Sequence, residues 1–129
     1  MQTIAFLLSE HPLSANTLFR KTPTFYSEQP YSDVGRCFKR WFGRQINFES
    51  LDDPHHLFKE VVTNRTKLNY SKLNIIMITG RREYLIDFLP HILNADQIYI
   101  DDDWELTIPL TEFISRLKSE PDWNWGPPV

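Results

Sequence analysis

The chain contains few cysteines and glycines, the residues on which disulfide-rich, metal-bound and glycine-loop proteins depend. Its 129 residues include one cysteine, Cys37, and four glycines. A single cysteine excludes an internal disulfide framework and a cysteine-rich metal cluster. The sequence also lacks the Gly-x-x-x-x-Gly-Lys and Gly-x-Gly-x-x-Gly loops that hold phosphates in many nucleotide-binding proteins. With 41% hydrophobic residues, the chain is long enough to form one domain with its own core.

Long apolar runs are missing as well. The segment from Met1 to Leu8 has no basic leader, and its apolar part is too short for a signal-peptide core or a membrane span. We therefore expect a cytoplasmic protein that does not engage membranes.

The charges are distributed unevenly along the chain. Residues 1–82 carry 12 Lys and Arg against 7 Asp and Glu, whereas residues 83–129 carry 2 against 10. The first part therefore has a net charge of +5 and the second part −8, which together give the total of −3. Such asymmetry can steer a charged partner toward one face, although ordinary solvated surface is the commoner explanation.

The stretch from Leu73 to Asp103 is typical of a strand–helix–strand unit. Leu73–Ile78 is a nearly continuous apolar run, a helical segment follows, and Gln97–Ile100 forms a second apolar run. Strands that alternate with helices predict a three-layer α/β domain, with a mostly parallel sheet of about four strands and helices on both faces. We assign residues 1–120 to this domain and residues 121–129 to a Trp/Pro-rich C-terminal tail. The other predicted strands are Thr3–Leu8 and Gln45–Phe48, and helices are predicted to begin at Ser32-Asp33, at Asp52-Asp53-Pro54 and at Pro109.

The helix predicted after Ser32-Asp33 has a basic side. Val34, Cys37, Phe38, Trp41 and Phe42 recur at helical spacing and predict its buried stripe. Arg36, Lys39, Arg40 and Arg44 lie beside this stripe and are candidate contacts for a nucleic-acid backbone.

Thr79-Gly80-Arg81-Arg82 lies between the first strand of the unit and its helix. Backbone N–H groups at the start of a helix attract anions, and two arginines add charged donors. These four residues are therefore a candidate phosphate site. A β–α turn with merely solvated arginines is an equally good interpretation.

Asp101, Asp102 and Asp103 follow the second strand of the unit. Carboxylate oxygens are ligands that Mg²⁺ prefers, so the three residues are a candidate metal site. Adjacent side chains point in alternating directions, and a loop that ends a strand explains the three aspartates without a metal. In an open α/β sheet, ligands bind at the carboxyl ends of the strands, so both candidate sites are predicted to share one edge.

Ile75-Ile76-Met77-Ile78-Thr79-Gly80-Arg81 resembles the second motif of haloacid dehalogenase-like hydrolases. In that family the Thr binds the substrate phosphate. The later strand of this chain, which ends in Asp101–Asp103, resembles the region where the family holds Mg²⁺. Asn16-Thr17-Leu18-Phe19-Arg20-Lys21-Thr22-Pro23 is similar to the segment after the nucleophile in the RNA-repair-like members. The resemblance implies a Mg²⁺-dependent phosphohydrolase that uses Asp101–Asp103 with Thr79 and Arg81.

The chain departs from the family at the nucleophile. The family has two aspartates, one residue apart, after its first strand. The two possible alignments place Leu13 and Ala15, or Leu7 and Ser9, at these positions. No carboxylate nucleophile is therefore present, and phosphatase chemistry is not expected to survive.

Three functions follow from these observations. The first is a non-catalytic binding or regulatory protein, of the inhibitor, immunity or adaptor type, which recognises a protein or a phosphate-bearing partner. The second is the phosphohydrolase, and the third is a nucleic-acid-binding accessory factor. We favour the first, with no catalytic residue, no required cofactor and Mg²⁺ as an optional ligand.

Overall fold

The computed structural model describes residues 2–13, 18, 25–27, 36–41, 44–53 and 55–128. For residues 25–27, 36–41, 44 and 45 it describes the backbone alone. These residues form seven strands, three α-helices and three short 3₁₀ turns. The strands are β1 (Thr3–Ser9), β2 (Phe25–Ser27), β3 (Arg36–Trp41), β4 (Arg44–Leu51), β5 (Asn74–Gly80), β6 (Tyr99–Asp101) and β7 (Thr107–Pro109). The helices are α1 (Lys59–Arg65), α2 (Arg82–Phe88) and α3 (Leu110–Ser119).

The strands form a single antiparallel sheet with the order β2-β3-β4-β5-β1-β6-β7. Each neighbouring pair of described strands is antiparallel. The predicted three-layer domain with a mostly parallel sheet of about four strands is therefore wrong. This is also not the parallel α/β fold of haloacid dehalogenase-like hydrolases. The reason is the place of β1, which inserts between β5 and β6 and runs against both.

β5 and β6 nevertheless point in the same direction, because each is antiparallel to the strand between them. The register pairs Thr3 with Gly80 and Phe6 with Asp101. The carboxyl ends of β5 and β6 consequently lie at one edge of the sheet, on either side of the start of β1. We call this edge, formed by residues 2–4, 80–83 and 101–103, the rim.

The segment predicted as a basic helix is strand β3. Its residues pair with β4 over six positions, from Arg36 opposite Glu49 to Trp41 opposite Arg44. Six paired positions satisfy backbone hydrogen bonds along the whole segment, which overrides the weak helical spacing of the apolar residues. Arg36, Lys39 and Arg40 therefore lie on β3 and Arg44 begins β4.

The sheet carries a core on each face. On one side, α2, α3 and the tail pack on the larger cluster, which includes Leu7, Ile78 and Ile100. On the other side, Val62 of α1 packs on Leu8 and Ile75. Alternate residues of β1 and β5 thus enter opposite cores, as the pleat of a strand requires. Among the described helices, none combines the length and the apolar character needed to cross a lipid bilayer.

Asp53 accepts the hydrogen bonds of the turn that leads into α1, which begins at Lys59 and not at the helix start predicted at Asp52-Asp53-Pro54. Its carboxylate accepts the N–H groups of Leu57 and Phe58, each at 2.8 Å, and the hydroxyl of Tyr70 at 2.8 Å. Burial by itself raises the pKa of Asp53, but these hydrogen bonds outweigh it and hold the pKa below its ordinary value.

We expect Asp53→Ala to lower the free energy of unfolding at pH 7 by about 1 kcal/mol, because the N–H groups of Leu57 and Phe58 and the hydroxyl of Tyr70 lose their acceptor. Because the folded state depresses the pKa of this acid, its contribution is present above an ordinary carboxyl pKa of about 4 and is lost as the pH falls through the lower folded value. Urea unfolding of both proteins between pH 7 and pH 2 measures the difference. Asp52→Ala is the matched control, since Asp52 is exposed. An equal loss in both variants would contradict the assignment.

Candidate functional site

A cavity of about 560 Å³ opens at the rim. Its walls are the start of β1, the turn between β5 and α2, the loop after β6 and the C-terminal tail. Its volume lies within the range of small-ligand sites. The lining residues are Gln2, Thr3, Ile4, Arg81, Arg82, Glu83, Asp103, Asn124, Trp125, Gly126, Pro127 and Pro128.

Two of the four predicted phosphate-binding residues line this cavity. Thr79 and Gly80 are the last residues of β5, where they pair with Ile4 and Thr3 of β1, and neither belongs to the cavity wall. Arg81 is exposed and lines the cavity, with its guanidinium carbon 5.7 Å from the centre of the Tyr84 ring. The phosphate site itself stays a prediction.

Arg82 holds the tail. Its Nη1 donates to the carbonyl of Trp125 at 2.5 Å and its Nη2 to the carbonyl of Trp123 at 3.1 Å. The guanidinium carbon also lies 4.2 Å from the centre of the Trp125 ring, within the range of a cation–π contact. Burial lowers the pKa of Arg82, and the negative charge of Asp102 opposes that shift. This guanidinium therefore has donors already engaged by the protein itself.

Asp102 is buried, with 4% of its surface exposed. Its carboxylate accepts backbone hydrogen bonds from the β6–β7 loop and from the C-terminal tail. Its Oδ1 accepts the N–H groups of Trp104 at 3.1 Å and Leu106 at 3.0 Å. Its Oδ2 accepts the N–H of Gly126 at 2.9 Å. Gly126 has a φ of +86°, a conformation in which side chains are strained. Asp102 thus joins the β6–β7 loop to the tail.

Asp101 and Asp103 have different environments. Asp101 accepts the N–H of Asp103 at 2.9 Å and the hydroxyl of Thr107 at 2.8 Å. Burial raises the pKa of Asp101, with a further rise from Asp102, and the two hydrogen bonds oppose the shift. Asp103 is exposed, has a φ of +62° and lines the cavity. Burial and the charges of Asp101 and Asp102 raise its pKa.

The predicted Mg²⁺ site depends on these three carboxylates. The oxygens of Asp101 and Asp102 already accept hydrogen bonds from the protein. These two side chains therefore stabilise the β6–β7 loop without a metal. Within the residues that the structure describes, no group of three or more His, Cys, Asp or Glu side chains is placed to hold a metal ion. Mg²⁺ as an optional ligand stays a prediction.

The candidate nucleic-acid residues belong to strands other than β1, β5 and β6, whose ends form the rim. Arg36, Lys39, Arg40 and Arg44 are in β3 and β4, and the described structure of these four residues is limited to their backbone. Nucleic-acid binding stays a prediction. The segment Asn16–Pro23, which carried part of the family resemblance, lies outside the described residues apart from the buried Leu18.

The tail residues of the site were not predicted. Trp125 is 2% exposed and belongs to the core that α2 and α3 cover, and its ring centre lies 5.1 Å from that of Phe113. Trp123 also packs on Phe113, at 4.9 Å. Their aromatic character indicates burial, but no local pattern in the sequence points to Arg82 or Asp102 as their partners.

Comparison with protein-family models, curated proteins and solved structures finds no match for this chain.

Proposed function

We propose that this chain is a non-catalytic binding protein that recognises a protein partner at the rim. The observation that carries the proposal is the state of the reactive side chains there. Asp102 and Asp101 accept hydrogen bonds from the β6–β7 loop and the tail, and Arg82 donates to tail carbonyls. Groups that would perform or assist catalysis thus serve to build the walls of a cavity.

The charge of the cavity favours a protein over a phosphate-bearing ligand. Two of its lining residues, Glu83 and Asp103, are acids that repel phosphate. Arg82 is turned toward the tail carbonyls and has Asp102 as a charged neighbour, which leaves Arg81 as the cation best exposed to a ligand. The lining also includes Ile4, Pro127 and Pro128, apolar side chains that a polypeptide can bury on binding and that a phosphate does not need.

Site-specific photo-crosslinking tests this proposal. A benzophenone amino acid replaces Arg81 in one protein and Glu60, an exposed residue of α1, in a control protein. We expect position 81 to capture a defined protein from cells that express the chain, and position 60 not to capture it. With the captured protein purified, Arg81→Glu should weaken its binding about tenfold or more, while Glu60→Arg should leave it unchanged.

Two results would contradict the proposal. One is the capture of the same protein at both positions, or an affinity that Arg81→Glu does not change. The other is turnover of p-nitrophenyl phosphate with Mg²⁺ that is lost in Asp103→Asn, which would favour the phosphohydrolase. Binding of a phosphorylated small molecule in place of a protein would move the assignment to a phosphate-bearing ligand.

A further inference from the structure

Trp104 is unusually exposed for a tryptophan. It keeps 57% of its surface accessible, and among the described residues only one other large apolar side chain, Leu57 at 73%, is also exposed. Tryptophan is enriched among the residues that dominate the energy of protein–protein interfaces, because one side chain buries a large area at low entropic cost. Trp104 follows Asp103, which lines the rim cavity.

The loop that carries Trp104 is held in place by hydrogen bonds. Asp102 accepts the N–H groups of Trp104 and Leu106, and its own N–H donates to the carbonyl of Leu106 at 3.0 Å. From the opposite side, Nη1 of Arg65 donates to the carbonyl of Glu105 at 2.6 Å. A loop fixed before binding loses little conformational entropy when a partner docks, which favours affinity.

Trp104 differs from the two other tryptophans whose side chains the structure describes. The guanidinium of Arg82 lies 4.2 Å from the ring centre of Trp125, and that of Arg116 lies 3.9 Å from the ring centre of Trp123. Trp104 has no such cation among the described residues. The residues on either side of it, Asp103 and Glu105, are exposed acids. Burial and the charges of Asp101 and Asp102 raise the pKa of Asp103, and a cation placed beside it would oppose that shift.

We propose that Trp104, Asp103 and Glu105 form a docking surface for an arginine or lysine side chain of the partner protein. The cation lies over the Trp104 ring, as Arg82 and Arg116 lie over the other two tryptophans, and the negative charges of the neighbouring Asp103 and Glu105 attract it. This inference rests on the proposed function, because it names the chemistry by which a protein partner is recognised.

A matched pair of peptides tests the proposal on the full chain. One is acetyl-Gly-Arg-Gly-Arg-Gly-amide, and the other carries citrulline, the neutral isostere, in place of both arginines. The reporter is the indole N–H signal of Trp104 in ¹⁵N-labelled protein, assigned with Trp104→Phe. We expect this signal to shift and saturate with the arginine peptide and to stay unchanged with the citrulline peptide.

Variants then locate the binding. Trp104→Ala should weaken the arginine peptide about fivefold, as expected for the loss of an exposed cation–π contact, with the Asp103 and Leu106 amide signals as reporters. Asp103→Asn and Glu105→Gln should weaken it and reduce its dependence on salt. Leu57→Ala, which removes the other exposed apolar side chain, should leave the affinity unchanged.

Several outcomes would overturn the inference: no shift with the arginine peptide, equal shifts with citrulline, or equal affinity in Trp104→Ala. The affinity of the protein captured at position 81 distinguishes a failure of this inference from a failure of the proposed function. If Trp104→Ala leaves the affinity of that protein unchanged, the docking surface is wrong and the proposed function stands. If no protein is captured at position 81, the proposed function fails.

Discussion

Replacing Asp102 with alanine is expected to lower the free energy of unfolding by about 3–5 kcal/mol, because three backbone N–H groups lose a charged acceptor at a buried position. Asp102→Asn should cost about half as much. Its amide oxygen can still accept from Trp104 and Leu106, whereas its NH₂ group would face the N–H of Gly126. Urea unfolding followed by circular dichroism measures both losses.

Asp103→Asn is the control for this series. The Asp103 side chain is exposed, and partial burial together with the charges of Asp101 and Asp102 raises its pKa, which disfavours the ionised form. Removing its charge should therefore change the free energy of unfolding by no more than about 0.5 kcal/mol. If Asp103→Asn destabilises the protein as much as Asp102→Ala, the role of Asp102 as the link between loop and tail is refuted.

Replacing Trp125 with alanine is expected to lower the free energy of unfolding by about 3–5 kcal/mol, the range for deleting a buried aromatic side chain. Trp125 is 2% exposed, contacts the Phe113 ring and lies beneath the Arg82 guanidinium. Trp104→Ala makes the same chemical change at a site that is 57% exposed, and we expect it to cost less than about 1 kcal/mol. Thermal and urea unfolding of both variants provide the comparison.

The tail provides an internal check on these values. Trp125 and Asp102 both hold the same segment, since Asp102 binds Gly126, the next residue. Once one contact is lost, the other restrains less ordered structure, so the double variant should lose less stability than the sum of the single losses. Strict additivity would show that the two residues act independently and that the tail does not dock as one unit.

Much of the strand–helix–strand unit was predictable from its sequence. The apolar run before Thr79 forms β5, and the run before Asp101 forms β6, with their carboxyl ends at one edge. The insertion of β1 between them was not predictable, because an apolar strand buried on both faces has the same composition in a parallel or an antiparallel sheet. The edge was therefore located correctly in a sheet whose pairing was predicted wrongly.

Shorter elements were less predictable still. The six residues of β3 span less than two helical turns, so apolar residues spaced for a helix also fit a strand, and pairing with β4 decides between them. β7 has three residues and ends in Pro109, which reads as a helix start. Such a short strand forms only because β6 and α3 position it, which is tertiary information.

The sequence did not predict the hydrogen-bond partners of the charged residues at the rim. Arg82, a predicted phosphate-binding residue, donates to tail carbonyls, and Asp102, a predicted metal ligand, accepts N–H groups of its own loop and of Gly126. Sequence identifies these as charged residues at a strand end. It does not reveal which backbone groups approach them from a segment more than 20 residues away in the chain.

The cavity walls have a practical consequence for experiments on this protein. Gln2 at one end of the described chain and Pro128 at the other both line the same opening. A label attached at Gln2 or at Pro128 would therefore lie at the mouth of the cavity and compete with a ligand. Binding measurements need tag-free protein, or a label placed on the exposed face of α1, around Thr63 and Asn64, where the sheet separates it from the opening.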